Sequence, residues 1–592
     1  MGICQIERSL INFMKKRMSN TMIALLITMI LLVVTSSIWV LYYAVNDDVT
    51  IGQRLSGCYT GVPRPAANDL QYPLALIISI LYRIFPKVDI YGLFLNGSHY
   101  LCIFLIIKRV LCKIRENKAA SLILLYIVIL TIDIQNIIFF QFTTTAAVYA
   151  VSGVFLLLLE EPDEKKWSSS IICLFMAFCV RKQIFGMIVP FVVLAWLVKL
   201  YQSKLRIKDT LKMSMFFFLI LGTLIGSANV IHKFADREHF FNENLNEFIS
   251  GRSNIRDYDG VPDYDTNIEF YQNIGGKGIS KAEYRLIRYQ MVSMDFSVDI
   301  QDIVKEIHQY NIIKRNSVGL KDRLAIMKSK FITVWNRALI KPQIVIIIIS
   351  FFLIGIYLVV GQRWVWLLFL TSGLSGVGSE MVYLLYRNRL NERVVKSLAL
   401  VAVLWMFGIL VEVLYGIGNS DKYRYKIHQV IYVCLVSAYM VTFIVGMIPA
   451  IGEKQTEYEK RYHMSTVVNE YCAEHSDNIY FSCYNFLSGD TSKLGKEYNL
   501  RFENRIRIGL LVFTPAYYER LERAGIVGTI EEAITTQDNV FLMGQNVDGQ
   551  LPELDSYFRE KYGDAYSYEM VDILDESVYI WKVHLSNAEE EK

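Results

Sequence analysis

Long apolar runs, repeated along most of the chain, constrain this sequence more than any other feature. A helix needs about 20 predominantly apolar residues to cross the hydrocarbon core of a bilayer. Of the 592 residues, 53 % are hydrophobic and only 20 % are charged. We predict about eleven membrane helices, at residues 21–43, 90–107, 119–134, 142–159, 168–180, 184–200, 213–230, 343–361, 364–385, 395–416 and 428–449. The sequence therefore predicts an α-helical multi-pass membrane protein.

Lysines and arginines concentrate in the loops that this helix count places on one side. They occur in the amino terminus and in the segments 108–118, 199–212 and 422–426. Cytoplasmic loops are enriched in these residues. We therefore predict an integral protein of the cell (plasma) membrane with a cytoplasmic amino terminus.

This orientation divides the chain into four parts. Residues 1–230 form a first transmembrane module with an outer loop at 44–89, and residues 343–450 form a second one. Residues 231–342 form a partly helical extracytoplasmic loop. Residues 451–592 alternate strand-like and helical passages, which predicts an extracytoplasmic α/β domain.

Two features of the predicted outer parts leave alternatives open. The run 73–85 is too short to span a bilayer, and we expect it to lie flat in the outer interface. Cys472 and Cys483 would form a disulfide outside the cell or remain two free thiols.

Composition argues against two classes of function. The net charge of +4 is small for 592 residues, so a nucleic-acid-binding surface is not indicated. The nine cysteines form no CxxC pair and no Cys/His cluster with zinc-ligand spacing.

Basic residues in two short outer turns depart from the positive-inside tendency. The first turn interrupts the apolar stretch 168–200, which would bury two cations in lipid if it formed one helix. The cations concerned are Lys396 and the five candidate phosphate ligands Arg181, Lys182, Arg387, Arg389 and Arg393. They would pair with nearby carboxylates or anionic lipid, or they would hold an anionic ligand such as a lipid-linked phosphate, which arginine binds bidentately.

Two adjacent carboxylates, Asp47 and Asp48, follow the first apolar run. They would be solvated, turn-forming side chains at a helix end. Alternatively, one of them would act as a general base on a hydroxyl while the cations stabilise a leaving phosphate.

The stretches "NDDVTIGQRLSGCYTGVP" and "YPLALIISILYRIFPKVDIYGLF" resemble the corresponding region of GT-C-fold integral-membrane glycosyltransferases of the bacterial polysaccharide-assembly type. The resemblance covers the architecture of roughly residues 1–450. It implies a polyprenyl-phosphate-linked sugar as donor, Asp47 or Asp48 as catalytic residue with Asp47 favoured, and outer arginines on the donor phosphate. Some relatives use a divalent cation, so Mg²⁺ or Mn²⁺ on Asp47 and Asp48 is a further implication.

The passage 256–271, "RDYDGVPDYDTNIEFY", is rich in aromatic residues and acids. This combination is common in sugar recognition, although an ordinary solvated loop has the same composition. The residues that would contact the sugar or acceptor are Asp257, Tyr258, Asp263 and Tyr264. Glu380, within a predicted span, would pair with Arg387 or another outer cation, whereas we expect His99 to be a satisfied buried histidine.

The sequence thus predicts a membrane glycosyltransferase that inverts the donor's anomeric centre. The acceptor would be a cell-envelope glycan or lipid on the outer face, and membrane lipids would surround the protein. A polysaccharide polymerase that uses lipid-diphosphate-linked glycans, and a transporter or lipid flippase, are the alternatives.

Overall fold

The computed structural model describes residues 19–65, 69–114, 118–160, 167–202, 207–239, 243–415, 422–482, 492–495, 504–509, 512–545, 551 and 553–586. Within these residues, nine helices are long and apolar enough to cross a membrane. The prediction of a multi-pass helical protein with a C-terminal α/β region is confirmed.

The described residues of the first part of the chain form ten helices. They are α1 Asn20–Ile38, α2 Asn46–Ser56, α3 Tyr72–Ile84, α4 Ile90–Lys113, α5 Lys118–Ile132, α6 Ile134–Ile138, α7 Phe142–Leu159, α8 Ser168–Val180, α9 Lys182–Gln202 and α10 Ile207–His239. Two short strands, β1 Tyr42–Tyr43 and β2 Phe139–Phe140, pair in parallel.

All eleven predicted spans are helical, but two of them are short. Helix α5 has 15 residues and α8 has 13. Helix α8 ends at Val180 because Arg181 has an extended backbone, with φ −157° and ψ 102°, and α9 begins at the next residue. The predicted break at the basic pair is therefore confirmed.

Helix α7 lies at the centre of the bundle, and all of its residues are buried. Helices α4, α8, α9 and α18 (Glu392–Tyr415) pack against it. The outer helices instead expose apolar side chains: Met215 of α10 is 72 % exposed and Leu219 is 67 % exposed. An apolar exterior around a packed interior is the arrangement expected of helices that face lipid.

The segment after α10 is largely helical. It contains α11 Glu243–Asn254, a π-helical turn at Ile255–Asp259, α12 Ile268–Asn273, α13 Lys281–Arg288, α14 Ile300–Ser317 and α15 Leu320–Trp335. Helices α14 and α15 lie within residues 231–342, which the sequence predicted to be partly helical. We call residues 243–335 the outer insert.

The second group of membrane helices is followed by a long helix. The second group comprises α16 Lys341–Val360, α17 Trp364–Tyr386, α18 and α19 Lys422–Val441. A π-helical turn at Thr442–Met447 joins α19 to the long helix α20 Ile448–Glu474. The sequence predicted that the α/β domain begins at residue 451, yet helical structure continues from α19 to Glu474.

The C-terminal α/β domain contains a five-stranded sheet with the order β4-β3-β5-β7-β6. Its elements are β3 Ile479–Ser482, β4 Arg505–Arg507, α21 Pro515–Arg523, α22 Ile530–Thr536, β5 Val540–Gln545, α23 Leu554–Tyr562, β6 Tyr566–Leu574 and β7 Val578–Leu585. Strands β4, β3 and β5 are parallel, whereas β7 is antiparallel to β5 and β6.

Two details of this domain differ from the prediction, and one is untested. Residues 508–515, "IGLLVFTP", have the apolar composition typical of a strand, but they are not a strand where they are described. Thr514 caps α21 there, and Pro515 begins that helix. Strands β4 and β6 and helix α22 were not predicted. Cys472 is buried, but Cys483 lies outside the described residues, so the disulfide stays a prediction.

Arg520 connects the C-terminal domain to the first outer loop. Its guanidinium donates to the carbonyl oxygens of Tyr59, at 2.9 Å, and Arg505, at 2.6 Å, and it lies 4.6 Å from the centre of the Tyr59 ring. Phe513 also packs on Phe248 of the outer insert. The first outer loop, the outer insert and the C-terminal domain therefore lie on the same side of the bundle.

Candidate functional site

Helix α2 positions the acidic pair. Asp47 and Asp48 stand in its first turn, where carboxylates interact favourably with the positive end of the helix dipole. Gly57 follows the last turn at φ 90°, the left-handed conformation that ends many helices. Just before α2, strand β1 pairs with β2 and so fixes the start of the helix beside the start of α7.

The side chain of Asp48 points into the protein and is fully buried. Its Oδ1 accepts hydrogen bonds from the Tyr91 hydroxyl at 2.9 Å and from the Phe142 amide at 3.1 Å. Phe142 is the first residue of α7, so Asp48 caps the central helix. Burial raises the pKa of Asp48 well above its ordinary value, while the bonds from Tyr91 and Phe142 oppose this rise.

The side chain of Asp47 lies on a different side of α2 and is 34 % exposed. Its Oδ2 lies 3.4 Å from a guanidinium nitrogen of Arg393, at the start of α18. Asp47 also lines a cavity of about 160 Å³. Of the two adjacent carboxylates, Asp47 is therefore the one that a ligand can reach.

The two long walls of this cavity are helix faces from distant parts of the sequence. Each face has the spacing i, i+3, i+4 and i+7, which places four side chains on one side of a helix. From α2 come Asp47, Thr50, Ile51 and Arg54, and from α11 with the turn after it come Ile249, Arg252, Ser253 and Arg256. Asp69 and Val512 complete the lining. We call this space the α2/α11 cavity.

Arg181 lies at the junction of α8 and α9, close to this cavity. It donates to the Thr143 hydroxyl at 2.6 Å, and its guanidinium lies 4.5 Å from the centre of the Phe142 ring. Burial raises the pKa of Asp69, and the positive charge of Arg181 opposes this rise. Arg181, Asp69 and Asp47 therefore belong to one electrostatic cluster with Arg393.

The other three predicted cations lie around this cluster. Lys182 and Arg387 are exposed at the ends of their helices, and the charge of Lys182 also acts on Asp69. Arg389 donates to Asn254 and lies 4.6 Å from the centre of the Tyr258 ring. Arg389 thus joins the turn before α18 to the outer insert.

The residues predicted to contact sugar are not gathered at one place. Asp257 pairs with Arg256 at 2.8 Å, next to the α2/α11 cavity. Asp263 is exposed and accepts a hydrogen bond from the backbone of Thr266. Tyr264 stacks on Tyr271 with ring centroids 5.2 Å apart. Asp263 and Tyr264 therefore hold the insert's own structure, and Tyr258 packs against Arg389.

Two ionisable residues of the membrane helices lie apart from the cavity lining. His99 lies 2.9 Å from a carboxylate oxygen of Asp133, and both side chains are buried, so His99 is the satisfied histidine that the sequence predicted. Among the described ion pairs, none joins Glu380 to Arg387 or to another outer cation. The expected pairing of Glu380 is therefore not observed.

Four charged residues that line the cavity were not among the predicted site residues. They are Arg54, Asp69, Arg252 and Arg256. The i, i+3, i+4, i+7 spacing within 47–54 and within 249–256 would have indicated the two helix faces. Asp69 belongs to neither helix face and carries no periodic signal.

The residues of the site do not suit a divalent cation held jointly by Asp47 and Asp48. Mg²⁺ and Mn²⁺ prefer several oxygen ligands that converge on one point, whereas Asp48 faces Tyr91 and Asp47 faces the cavity. Within the described residues, His, Cys, Asp and Glu form no group of three or more that could hold a metal ion. The arginines lining the cavity favour an anionic ligand instead.

Comparison with known proteins gives one whole-chain similarity. No family model and no curated protein matches the chain. Among solved structures, it is similar to the crystal structure of ArnT from Cupriavidus metallidurans bound to undecaprenyl phosphate. The identity is 11 %, the TM-score is 0.34, and the similarity covers 94 % of this chain and 97 % of that chain. A TM-score of this size transfers no residue role and no activity.

Proposed function

We propose that this protein is a GT-C-type membrane glycosyltransferase. It takes a sugar from a polyprenyl-phosphate donor and transfers it to a hydroxyl of a cell-envelope glycan or lipid on the outer face. The observation that supports this most directly is the position of Asp47, which is accessible in a polar cavity and stands beside Arg393 and near Arg181.

In the proposed reaction, Asp47 acts as the general base. The acceptor hydroxyl gives its proton to the Asp47 carboxylate, and its oxygen forms a bond to the anomeric carbon of the donor. The bond from that carbon to the phosphate oxygen breaks, and the electron pair leaves with polyprenyl phosphate. Direct displacement inverts the configuration at the anomeric carbon.

Arg393 and Arg181 would bind the leaving phosphate and stabilise its negative charge. The contact of Arg393 with Asp47, at 3.4 Å, is longer than the 2.7–2.9 Å typical of a charge-assisted hydrogen bond. This guanidinium can therefore shift toward a phosphate without losing a strong bond. Thr143 and the Phe142 ring fix the plane of Arg181, and a preorganised donor of this kind stabilises developing charge effectively.

The proposed topology places the α2/α11 cavity outside the cell. It is supported by the contacts that keep the first outer loop, the outer insert and the C-terminal domain on one side. Single cysteines introduced at exposed positions of the outer insert should react with a membrane-impermeant thiol reagent in intact cells.

Sugar transfer by the full chain in lipid nanodiscs tests this proposal. Labelled donors linked through polyprenyl phosphate or through polyprenyl diphosphate are supplied with an envelope extract as acceptor. Asp47→Asn is compared with Asp322→Asn, which changes an exposed carboxylate of the outer insert outside the cavity. We expect transfer from the monophosphate donor, and we expect only Asp47→Asn to abolish it.

The other outcomes separate the alternatives. Transfer from the diphosphate-linked donor alone would indicate a polymerase. Transfer from neither donor, with both donors still bound, would contradict the enzyme proposal and favour a transporter. The metal requirement stays a prediction, and transfer in the presence of excess chelator tests it.

A further inference from the structure

The α2/α11 cavity contains a second group of cations, separate from those near the catalytic carboxylate. Arg54, Arg252 and Arg256 line it, while Asp47 and Asp69 are the only carboxylates among its described lining residues. Three guanidinium groups thus face two carboxylates, one of which also pairs with Arg393. The formal charge of the lining residues is therefore +1, and Asp257, which pairs with Arg256, lies beside the lining and not in it.

Helix geometry separates this group from the cations assigned to the donor. Arg54 follows Asp47 by two turns of α2, so its backbone lies about 10 Å further along the helix, at 1.5 Å per residue. Arg393 contacts Asp47 itself, at the other end. A donor phosphate at Arg393 and Arg181 therefore leaves the Arg54 end of the cavity for a different group.

Of the three arginines, Arg54 has the most deeply buried guanidinium. Its side chain is only 3 % exposed, and burial lowers its pKa to about 10. Burying a guanidinium is unfavourable unless nearby groups compensate its charge. Arg252 donates to the Gln290 amide oxygen at 3.1 Å, and Arg256 donates to Asp257 at 2.8 Å, so both are held in place at the opposite wall. A ligand anion between the two walls would contact Arg54 on one side and the preorganised Arg252 and Arg256 on the other.

The volume and remaining lining suit part of a glycan. About 10–15 Å³ is needed for one water-sized group, so a cavity of about 160 Å³ holds a group the size of a sugar ring with its substituents. Thr50 and Ser253 add hydroxyls, and Ile51 and Ile249 add apolar contacts. Sugar sites commonly combine these elements.

We propose that the α2/α11 cavity is a subsite for an acceptor glycan that carries an anionic group, a phosphate or a carboxylate. Arg54, Arg252 and Arg256 bind this anion, and the anion lies on the sugar that presents its hydroxyl to Asp47 or on the neighbouring sugar. This inference rests on the proposed function, because it names the acceptor class for the same site.

A binding measurement tests the subsite without requiring transfer. Calorimetric titration of the full chain in nanodiscs uses three soluble probes, namely glucose 6-phosphate, glucuronic acid and uncharged glucose. We expect at least one anionic probe to bind and glucose to bind much more weakly. Arg252→Gln and Arg256→Gln should each weaken binding of the anionic probe about tenfold or more, since hydrogen bonds between two charged groups are among the strongest in proteins.

Two controls make the result specific. Arg285→Gln changes an exposed arginine of α13 in the same insert and should leave binding unchanged. Undecaprenyl phosphate in the nanodisc should not displace the anionic probe, because we assign the lipid phosphate to Arg181 and Arg393. Displacement by the lipid would overturn the proposal and assign the three arginines to the donor.

The remaining outcomes are also decisive. Equal binding of glucose and both anions, or equal losses in Arg285→Gln and the cavity variants, would refute an anion subsite. If transfer later fails while the anionic probe still binds as expected, the subsite stands and the proposed reaction falls. If transfer occurs but neither anionic probe binds, the proposed reaction stands and the anion subsite falls.

Discussion

The two adjacent carboxylates should separate cleanly into one that acts on substrate and one that holds the fold. Asp48→Ala removes the acceptor for the Phe142 amide and for the Tyr91 hydroxyl, both of which are buried. Removing the acceptor of a buried donor costs about 1–3 kcal/mol, and loss of a helix cap alone costs about 0.5–2 kcal/mol. We therefore expect Asp48→Ala to lower the free energy of unfolding by about 2–4 kcal/mol.

Asp48→Asn provides the matched comparison. Its amide oxygen remains available to the Phe142 amide and the Tyr91 hydroxyl, so we expect less than half of the alanine loss. Asp47→Asn should change the stability by less than about 1 kcal/mol, because its pairing with Arg393 is partly exposed. The same change should reduce transfer by about 10²–10⁴-fold, which is the usual contribution of a general base.

Two assays on each variant in nanodiscs measure these effects. Thermal unfolding followed by intrinsic tryptophan fluorescence reports stability, and incorporation of labelled sugar at a temperature where every variant is folded reports activity. The expected result is a stable, inactive Asp47→Asn and a folded, active Asp48→Asn. The assignment would be refuted if Asp48→Asn, while still folded, lost transfer as completely as Asp47→Asn.

Three further predictions follow from individual contacts. Burial raises the folded-state pKa of Asp48, so its stabilising contribution is complete below the unfolded pKa of about 3.8 and is lost as the pH rises toward the folded pKa. The unfolding temperature of Asp48→Asn relative to wild type should therefore increase from about pH 5 to pH 7.5. An unchanged difference would contradict this prediction. Arg181→Lys keeps the charge but loses the planar contact with Phe142. We therefore expect the KM for the donor to rise about tenfold or more, while the KM for the acceptor stays unchanged. Equal increases in both KM values would argue against a donor role for Arg181. Arg520→Ala removes two hydrogen bonds and the stacking on Tyr59, so limited proteolysis should release the C-terminal domain faster from this variant than from wild type. Arg559→Ala changes an exposed arginine of the same domain and serves as the control. Equal rates of release from the two variants would show that Arg520 does not hold the domain.

The sequence predicts the membrane part of this fold well because lipid imposes a simple rule. Backbone polar groups in a bilayer must be satisfied within helices, so apolar length alone locates most spans. The break at Arg181 was equally predictable, because a continuous helix would have placed two cations in lipid. The C-terminal sheet was harder to predict: β6 exposes most of its side chains and so lacks a continuous apolar run.

The candidate site was only partly predictable, and the reason lies in helix geometry. Adjacent residues on an α-helix point about 100° apart, since there are 3.6 residues per turn. The sequence gives no means of deciding which of two neighbouring carboxylates faces a cavity, because that depends on where α7 and the outer insert pack against α2. Asp48 faces the protein interior because the first amide of α7 lies there, and Asp47 faces outward as a result.

The arginines of the cavity show the same dependence on packing. Each helix face could be recognised from its own spacing, but neither face indicates by itself that the other lies opposite. Residues 47–54 and 249–256 meet because the outer insert is held over the first loop, with Phe248 packed on Phe513 and Arg389 joined to Asn254. The specificity proposed for the acceptor thus depends on contacts made by the insert and the C-terminal domain. Changes at these contacts should therefore alter acceptor binding before they alter the binding of the donor phosphate at Arg181.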